Sequence, residues 1–254
     1  MKQSQFYYLL RRGLFSGGSA IIKSGLVMFN KFTTAGLSFP VQGSAGFNGT
    51  SDYIQLNEPF SHTTHTIAAW VYVNDTAYNK EIFDNRNVSS NGILLYATND
   101  EKIYYRLDSG ANLDSVNTHA NKWVFAVGTY DGTTQKLYID GSLERSQNIS
   151  VTINTAQDAI IGRYTISDAN PFNGNLANVA IWNRALSSDE INSVMWKPYQ
   201  ALNATESNGL QAWYSLDDIA SPTASLANME QLATDKDATI ENKAAITAAI
   251  NQLS

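Results

Sequence analysis

Cysteine is absent from the 254 residues. That excludes a disulfide framework and any thiolate metal site, and it leaves the redox compartment open, because an all-β domain of this length needs no covalent staples. Histidine is scarce, with 3 in the chain; His62 and His65 form the only close pair, and with no neighbouring acid or cysteine to complete a metal site they read as surface polar residues before a strand. Long apolar runs are missing too. None reaches the roughly 18 residues that cross a bilayer. In "MKQSQFYYLLRRGLF" the apolar stretch is cut by Arg11 and Arg12 before it attains the roughly 7 to 15 residues of a secretory h-region. The chain therefore reads as soluble and not exported by the usual route. Acidic residues are lacking in residues 1–51, which hold Lys2, Arg11, Arg12, Lys23 and Lys31 and so carry +5; the other 12 basic residues face all 23 acidic ones, giving −11. A net charge of −6 argues against a nucleic-acid partner, which requires a concentrated cationic surface. The asymmetry instead describes a basic arm ahead of an acidic body. Such an arm either docks through Arg11, Arg12 and Lys23 on an acidic protein surface or an anionic membrane, or folds back on its own body.

What is present is a succession of short alternating runs separated by Gly, Asn, Asp, Ser and Thr clusters, the pattern of antiparallel strands. In "HTIAAWVYV" (65–73), Ile67, Ala69, Val71 and Val73 share one face and Trp70 and Tyr72 the other. Both faces are apolar, as in a central strand covered on each side. "WVFAVGTYDGTTQKLYIDG" (123–141) reads as strand, turn at Asp131-Gly132 and a second strand closed by Asp140-Gly141. "NGNLANVAIWNRALSSDEI" (173–191) reads as a turn at Asn173-Gly174, a strand from Leu176 to Trp182, and a capping box of Ser187 and Glu190 opening a short helix.

With "GFNGTSDYIQL" (46–56) and "TIAAWVYV" (66–73), the last two segments carry a resemblance to the laminin G-like group of the concanavalin A-like lectin/glucanase jelly rolls, and within it to the pentraxin-related bacterial and viral members. The resemblance spans about residues 36–196. It implies an all-β fold, a jelly-roll sandwich of two antiparallel sheets with about six or seven strands each. Relatives often begin with a strand like the one that here stands late, "LQAWYSLDD" (210–218). It either folds back as an edge strand or opens a second repeat; the fold-back is favoured because a lone strand would expose Trp213 and Leu216. The organisation expected is a basic N-terminal arm (1–35), a jelly roll (36–218) and a C-terminal tail (219–254), whose end places Ala245, Ile246, Ala249, Ile250 and Leu253 along one helical stripe.

Some relatives of this fold cleave glucans with closely spaced carboxylates on one strand. No Glu-x-Asp-x-x-Glu pattern occurs here, and Glu81 and Asp84, at i and i+3, are expected on opposite faces of a strand. The expectation is a chain that is not an enzyme. Calcium is the metal the resemblance implies, and Asp84, Asn85 and Asp168 are the loop oxygens it would use. However, the acidic loop of the relatives is replaced by "GRYTISDANPFNG", with Asp168 as its only acid, and Ala177-Asn178 stands where many relatives carry acids. No resident cofactor is therefore expected. For sugar, which presents an apolar face edged by hydroxyls, Asn85, Arg86, Tyr164, Asp168 and Asn170 supply suitable loop groups. The function expected is a non-catalytic virion structural protein, a capsid decoration, head fibre or tail component assembled in the host cytoplasm. It would be present as a homo-oligomer or in many copies, contact other virion proteins and display the jelly roll to a cell-surface glycan. The alternative is a free extracellular lectin-like module.

Overall fold

In the computed structural model the chain falls into two units, Met1–Ser38 and Phe39–Ser254. The structure describes residues 43–216 except 61, 75–78, 88–90, 109–110, 152, 154–157 and 165–168, and for 57–59 and 111 the backbone alone. The basic arm with Arg11, Arg12 and Lys23, the C-terminal helical stripe and Asp168 thus lie outside the described residues.

The described part is an all-β sandwich of two antiparallel sheets. The seven-stranded sheet runs β1 (Ala45–Asn48), β12 (Asn173–Trp182), β3 (His65–Val73), β8 (Trp123–Tyr130), β9 (Thr134–Ile139) and β10 (Ser142–Asn148). β13 (Leu210–Tyr214) also pairs with β12, along the same edge as β1: β1 covers Asn173 to Leu176 and β13 covers Val179 to Trp182. Between them Asn178 takes a left-handed φ of 46°, and the β12–β3 register slips by one residue from Ala177 to Ala180, the signature of a bulge. The six-stranded sheet runs β2 (Ile54–Pro59), β11 (Asp158–Ile161), β4 (Lys80–Asp84), β5 (Ile93–Ala97), β6 (Ile103–Leu107) and β7 (Ala111–Asp114).

Alternation decides what each strand buries. Ile67, Ala69, Val71 and Val73 enter the core between the sheets, with Ile93 and Leu95 of β5, Ile103, Tyr105 and Leu107 of β6, and Leu137 and Ile139 of β9. The opposite face of β3 belongs to a second apolar layer, where Ala68, Trp70, Phe125, Val127, Tyr138 and Trp182 pack against Leu186, Ile191, Val194, Met195 and Trp213. This second layer is supplied by the chain after β12. Ser187 caps α1 (Ser188–Val194) in a capping box with Glu190, and Asn203 caps α2 (Ala204–Ser207) with Glu206 in the same manner. The outer face of the seven-stranded sheet is therefore largely roofed by this segment. On the outer face of the six-stranded sheet Ile160, Glu81, Asp84, Leu94 and Tyr96 are buried, and the surface is accessible toward β6 and β7, where Tyr104 and Arg106 are half-buried and Asn112 is exposed.

Two turn expectations resolve differently. Asp140 and Gly141 have φ of 50° and 77°, the paired left-handed geometry of a tight hairpin between β9 and β10. Asn173-Gly174, expected as a turn, lies within β12. Gly174 has a φ of 149°, and a Cβ there would strike the Tyr72 carbonyl oxygen, so close backbone approach and not chain reversal requires glycine. His65 also departs from the expected surface position. It continues the inward series 65, 67, 69, is fully buried, and meets the Tyr105 hydroxyl at 2.6 Å through Nε2. Burial pushes its pKa down to about 3, which keeps the ring neutral.

Candidate functional site

The candidate site occupies the outer face of the six-stranded sheet. On β4, Glu81 pairs with Tyr96 and Phe83 with Leu95, so the register shifts between them. Ile82 is the extra residue of a bulge, and both it and Phe83 enter the core. The bulge returns Asp84, opposite Leu94, to the same face as Glu81, opposite Tyr96. The expectation that these acids project to opposite faces fails, because simple alternation does not survive an inserted residue.

Arg86 crosses both acids. Its Nε meets Asp84 Oδ1 at 3.1 Å, and its Nη2 meets Asp84 Oδ2 at 2.6 Å and Glu81 Oε1 at 2.9 Å. The Tyr164 ring lies against the guanidinium, its centroid 4.5 Å from Cζ, in cation–π contact. Asn170, in a left-handed conformation with φ 54°, donates from Nδ2 to Glu81 Oε1 at 3.1 Å and accepts the Glu81 amide at its own carbonyl. The structure thus brings together Arg86, Tyr164 and Asn170 around two acids. The acids are buried, at 1% exposure for Glu81 and 0% for Asp84. Burial raises the Glu81 carboxyl to about 7, against the opposing pull of Arg86 and with a further push from Asp84; its Oε2 has no hydrogen-bond partner among the described residues. Burial works against the charge of Arg86 too, but the hydrogen bonds to Asp84 and the field of Glu81 prevail and raise its pKa.

Asn85 has a different task. Its Oδ1 accepts the Ile93 backbone N–H at 2.6 Å and its backbone N–H donates to the Ile93 carbonyl, closing the β4–β5 connection. These contacts bear on calcium. Both Asp84 oxygens accept from Arg86 and the Asn85 oxygen accepts from the backbone, so a calcium ion at this pair would have to displace an internal guanidinium and an amide. The described members of the set do not fit the metal. No group of three or more potential metal ligands occurs among the described residues.

Beyond the loop groups, the face contains two cross-strand rows absent from the sequence expectation. One runs Glu81, Tyr96, Tyr104, Asp114, and the other Ile160, Asp84, Leu94, Arg106, Asn112. Tyr96 and Tyr104 have ring centroids 5.2 Å apart. Asn112 Nδ2 donates to the Tyr96 hydroxyl at 3.1 Å, and the Tyr104 hydroxyl donates to Asp100 at 2.7 Å. Burial and the Asp100 carboxylate push the Tyr104 hydroxyl up to about 12, so it remains a donor. Asn112 is exposed, and Tyr104, Arg106 and Tyr164 are half-buried. The alternation in "IYYRL" (103–107) was the signal that could have found Tyr104 and Arg106.

Comparison with known proteins agrees with this architecture. A laminin G family model described as the concanavalin A-like lectin/glucanases superfamily matches residues 48–192, more than half of the chain. Among solved structures, a candidate carbohydrate-binding protein from Bacteroides ovatus aligns with a TM-score of 0.57 at 18% identity, over 70% of this chain and 52% of that one. This chain therefore spans about half the length of that protein. The CBM40 module of an IT-sialidase from Ruminococcus gnavus aligns with a TM-score of 0.53 at 16% identity, over 61% and 97%. A heptameric SAP-like pentraxin from Limulus polyphemus aligns with a TM-score of 0.51 at 14% identity, over 61% and 82%. No curated protein matches the chain by sequence. The fold and the family match together place this chain in the concanavalin A-like lectin/glucanases superfamily.

Proposed function

We propose that the chain is a non-catalytic glycan-binding module whose recognition surface is the outer face of the six-stranded sheet. The observation that carries this reading is the contrast between the two sheets: one outer face is roofed by α1 and its flanking apolar residues, while the other presents half-buried Tyr104, Arg106 and Tyr164 beside exposed Asn112. Aromatic faces and planar polar groups on a shallow surface suit a sugar ring, apolar on one side and edged by hydroxyls. The carbohydrate-binding character of the Bacteroides and Ruminococcus neighbours supports the same reading. A binding role without cleavage is supported by the state of the acid pair on this face. Glu81 and Asp84 are buried and bridged by Arg86, whereas glycoside cleavage needs two carboxyl groups flanking an accessible bond. A glycan array probed with the full chain, with and without chelator, tests the proposal. Selective binding that survives chelation supports it, and silence across a broad array overturns it.

The finer reading, a virion structural protein displaying this module to host glycans, draws its support from the +5 charge of residues 1–51 against the −11 of the remainder, which suits an anchoring arm ahead of an adhesive body. The partners would be other virion proteins, with the chain present in many copies. The alternative is the free extracellular module. Deleting residues 1–35 separates the two: loss of incorporation into purified particles, with an unchanged sandwich, supports anchoring, and unchanged incorporation contradicts it.

A further inference from the structure

We propose that this face takes an acidic glycan, a sugar chain bearing a carboxylate or sulfate, and that Arg106 is the residue that reads its charge. The inference rests on the glycan-binding reading above. Arg86 and Arg106, both on this face, are in unequal states. The guanidinium of Arg86 is consumed by Asp84 and Glu81 and sits under Tyr164, so it shapes the surface without offering its charge. Arg106 forms no ion pair with any described residue. Its Nε donates to the Asp108 carbonyl at 2.9 Å, which fixes the plane of the fork while leaving the two Nη groups for an outside acceptor. An arginine fork matches two oxygens of a carboxylate or sulfate bidentately, and such charge-assisted pairs are stronger than neutral hydrogen bonds.

The neighbours of Arg106 supply the rest of a sugar site. Asn112 lies directly opposite it across β7 and Leu94 across β5. In the adjoining row stand Tyr96, hydrogen-bonded to Asn112, and half-buried Tyr104, a ring on which a pyranose can stack. Asp114, at the end of that row, is held by Lys102 at 2.6 Å and faces Arg145 at 3.6 Å, so its charge is compensated within the protein. The part of the face that a sugar can reach lies on β6 and β7, where Tyr104 and Arg106 are half-buried and Asn112 is exposed, because the residues that β4 and β5 turn to it, Glu81, Asp84, Leu94 and Tyr96, are buried.

The test uses the full chain and paired probes: galacturonate trimer, the same trimer with its carboxyl groups reduced, and a sulfated galactose trimer, followed by an array of other acidic glycans each beside its neutral counterpart. Calorimetry should show an acidic member of a pair bound ~10-fold or more tightly than its neutral partner, with affinity falling as salt rises. Whether the carboxylated or the sulfated probes bind tells the two sources of charge apart. R106Q should abolish that preference, R106K should restore part of it through charge without the fork, and both should melt like the parent. Equal binding of acidic and neutral partners, or an acid preference unchanged in R106Q, overturns the inference. If neutral glycans bind and lose affinity in Y104A but not in R106Q, the glycan reading stands and the assignment of charge recognition to Arg106 falls. Silence for every probe overturns both.

Discussion

Replacing Glu81 by glutamine should make the protein more stable as pH rises, although the substitution removes one member of an ion pair. The free-energy change follows from burial. A glutamate whose carboxyl lies at about 7 in the folded protein, against 4.5 when unconstrained, carries a penalty of about 3 kcal/mol once it is ionised. The sign is fixed by proton uptake: between those values the folded chain holds a proton at Glu81 that the unfolded chain has released. Stability linked to this group is therefore complete below about 4.5 and is lost as pH climbs through about 7. E81Q keeps the shape of the neutral acid, cannot ionise, and leaves Arg86 bound to Asp84 through both Asp84 oxygens. Urea unfolding of the parent and E81Q, measured side by side from pH 4.5 to 8.5, cancels the titration of every other group. The difference should swing in favour of E81Q by about 3 kcal/mol across that range, an order-of-magnitude figure for a site with so little solvent. A flat difference, or E81Q losing ground with rising pH, would refute the reasoning and mean that Arg86 outweighs burial.

Arg86→Met should cost about 3–5 kcal/mol in chemical unfolding, because it strands Asp84 and Glu81 without their cation, and the cost should shrink in acid as the carboxyl groups protonate. Gly174→Ala should lower the melting temperature sharply or prevent soluble expression, since the new Cβ meets the Tyr72 carbonyl oxygen in a left-handed backbone conformation. Trp213→Ala, in the strand beside β12, removes a side chain that is 5% exposed and packs with Trp182 at a centroid distance of 6.1 Å. It should destabilise by about 3–5 kcal/mol in denaturant titration, with the transition remaining single.

Much of the architecture was legible in the sequence because sheets announce themselves by period. The split of residues 67–73 into two apolar faces corresponds to two real layers, and Ser187 with Glu190 marked a helix that the structure contains. The same period, extended two residues back, would have sent His65 inward; its polarity argued for the surface, and the Tyr105 hydroxyl that meets its Nε2 lies on another sheet. The bulge at Ile82 was not legible, since an inserted strand residue leaves no mark in composition, and with it went the shared face of Glu81 and Asp84. Arg86, Tyr164 and Asn170 could be picked out as loop polar groups suited to a sugar. That two of them would be occupied by a buried acid pair depended on the bulge. Tyr104, Arg106 and Asn112 escaped for another reason: alternation assigns a residue to a face, but which outer face stays open depends on where α1 and its flanks pack.

The central claim, that the open face of the six-stranded sheet is the recognition surface, is tested most directly by titrating isotopically labelled protein with a glycan selected on the array and mapping the amide and arginine side-chain resonances that move. Saturable changes centred on Tyr96, Tyr104, Arg106 and Asn112, with α1 and Trp196 unaffected, are the predicted result. Changes centred on α1 and the outer face of the seven-stranded sheet, with the tyrosine rows silent, would contradict it.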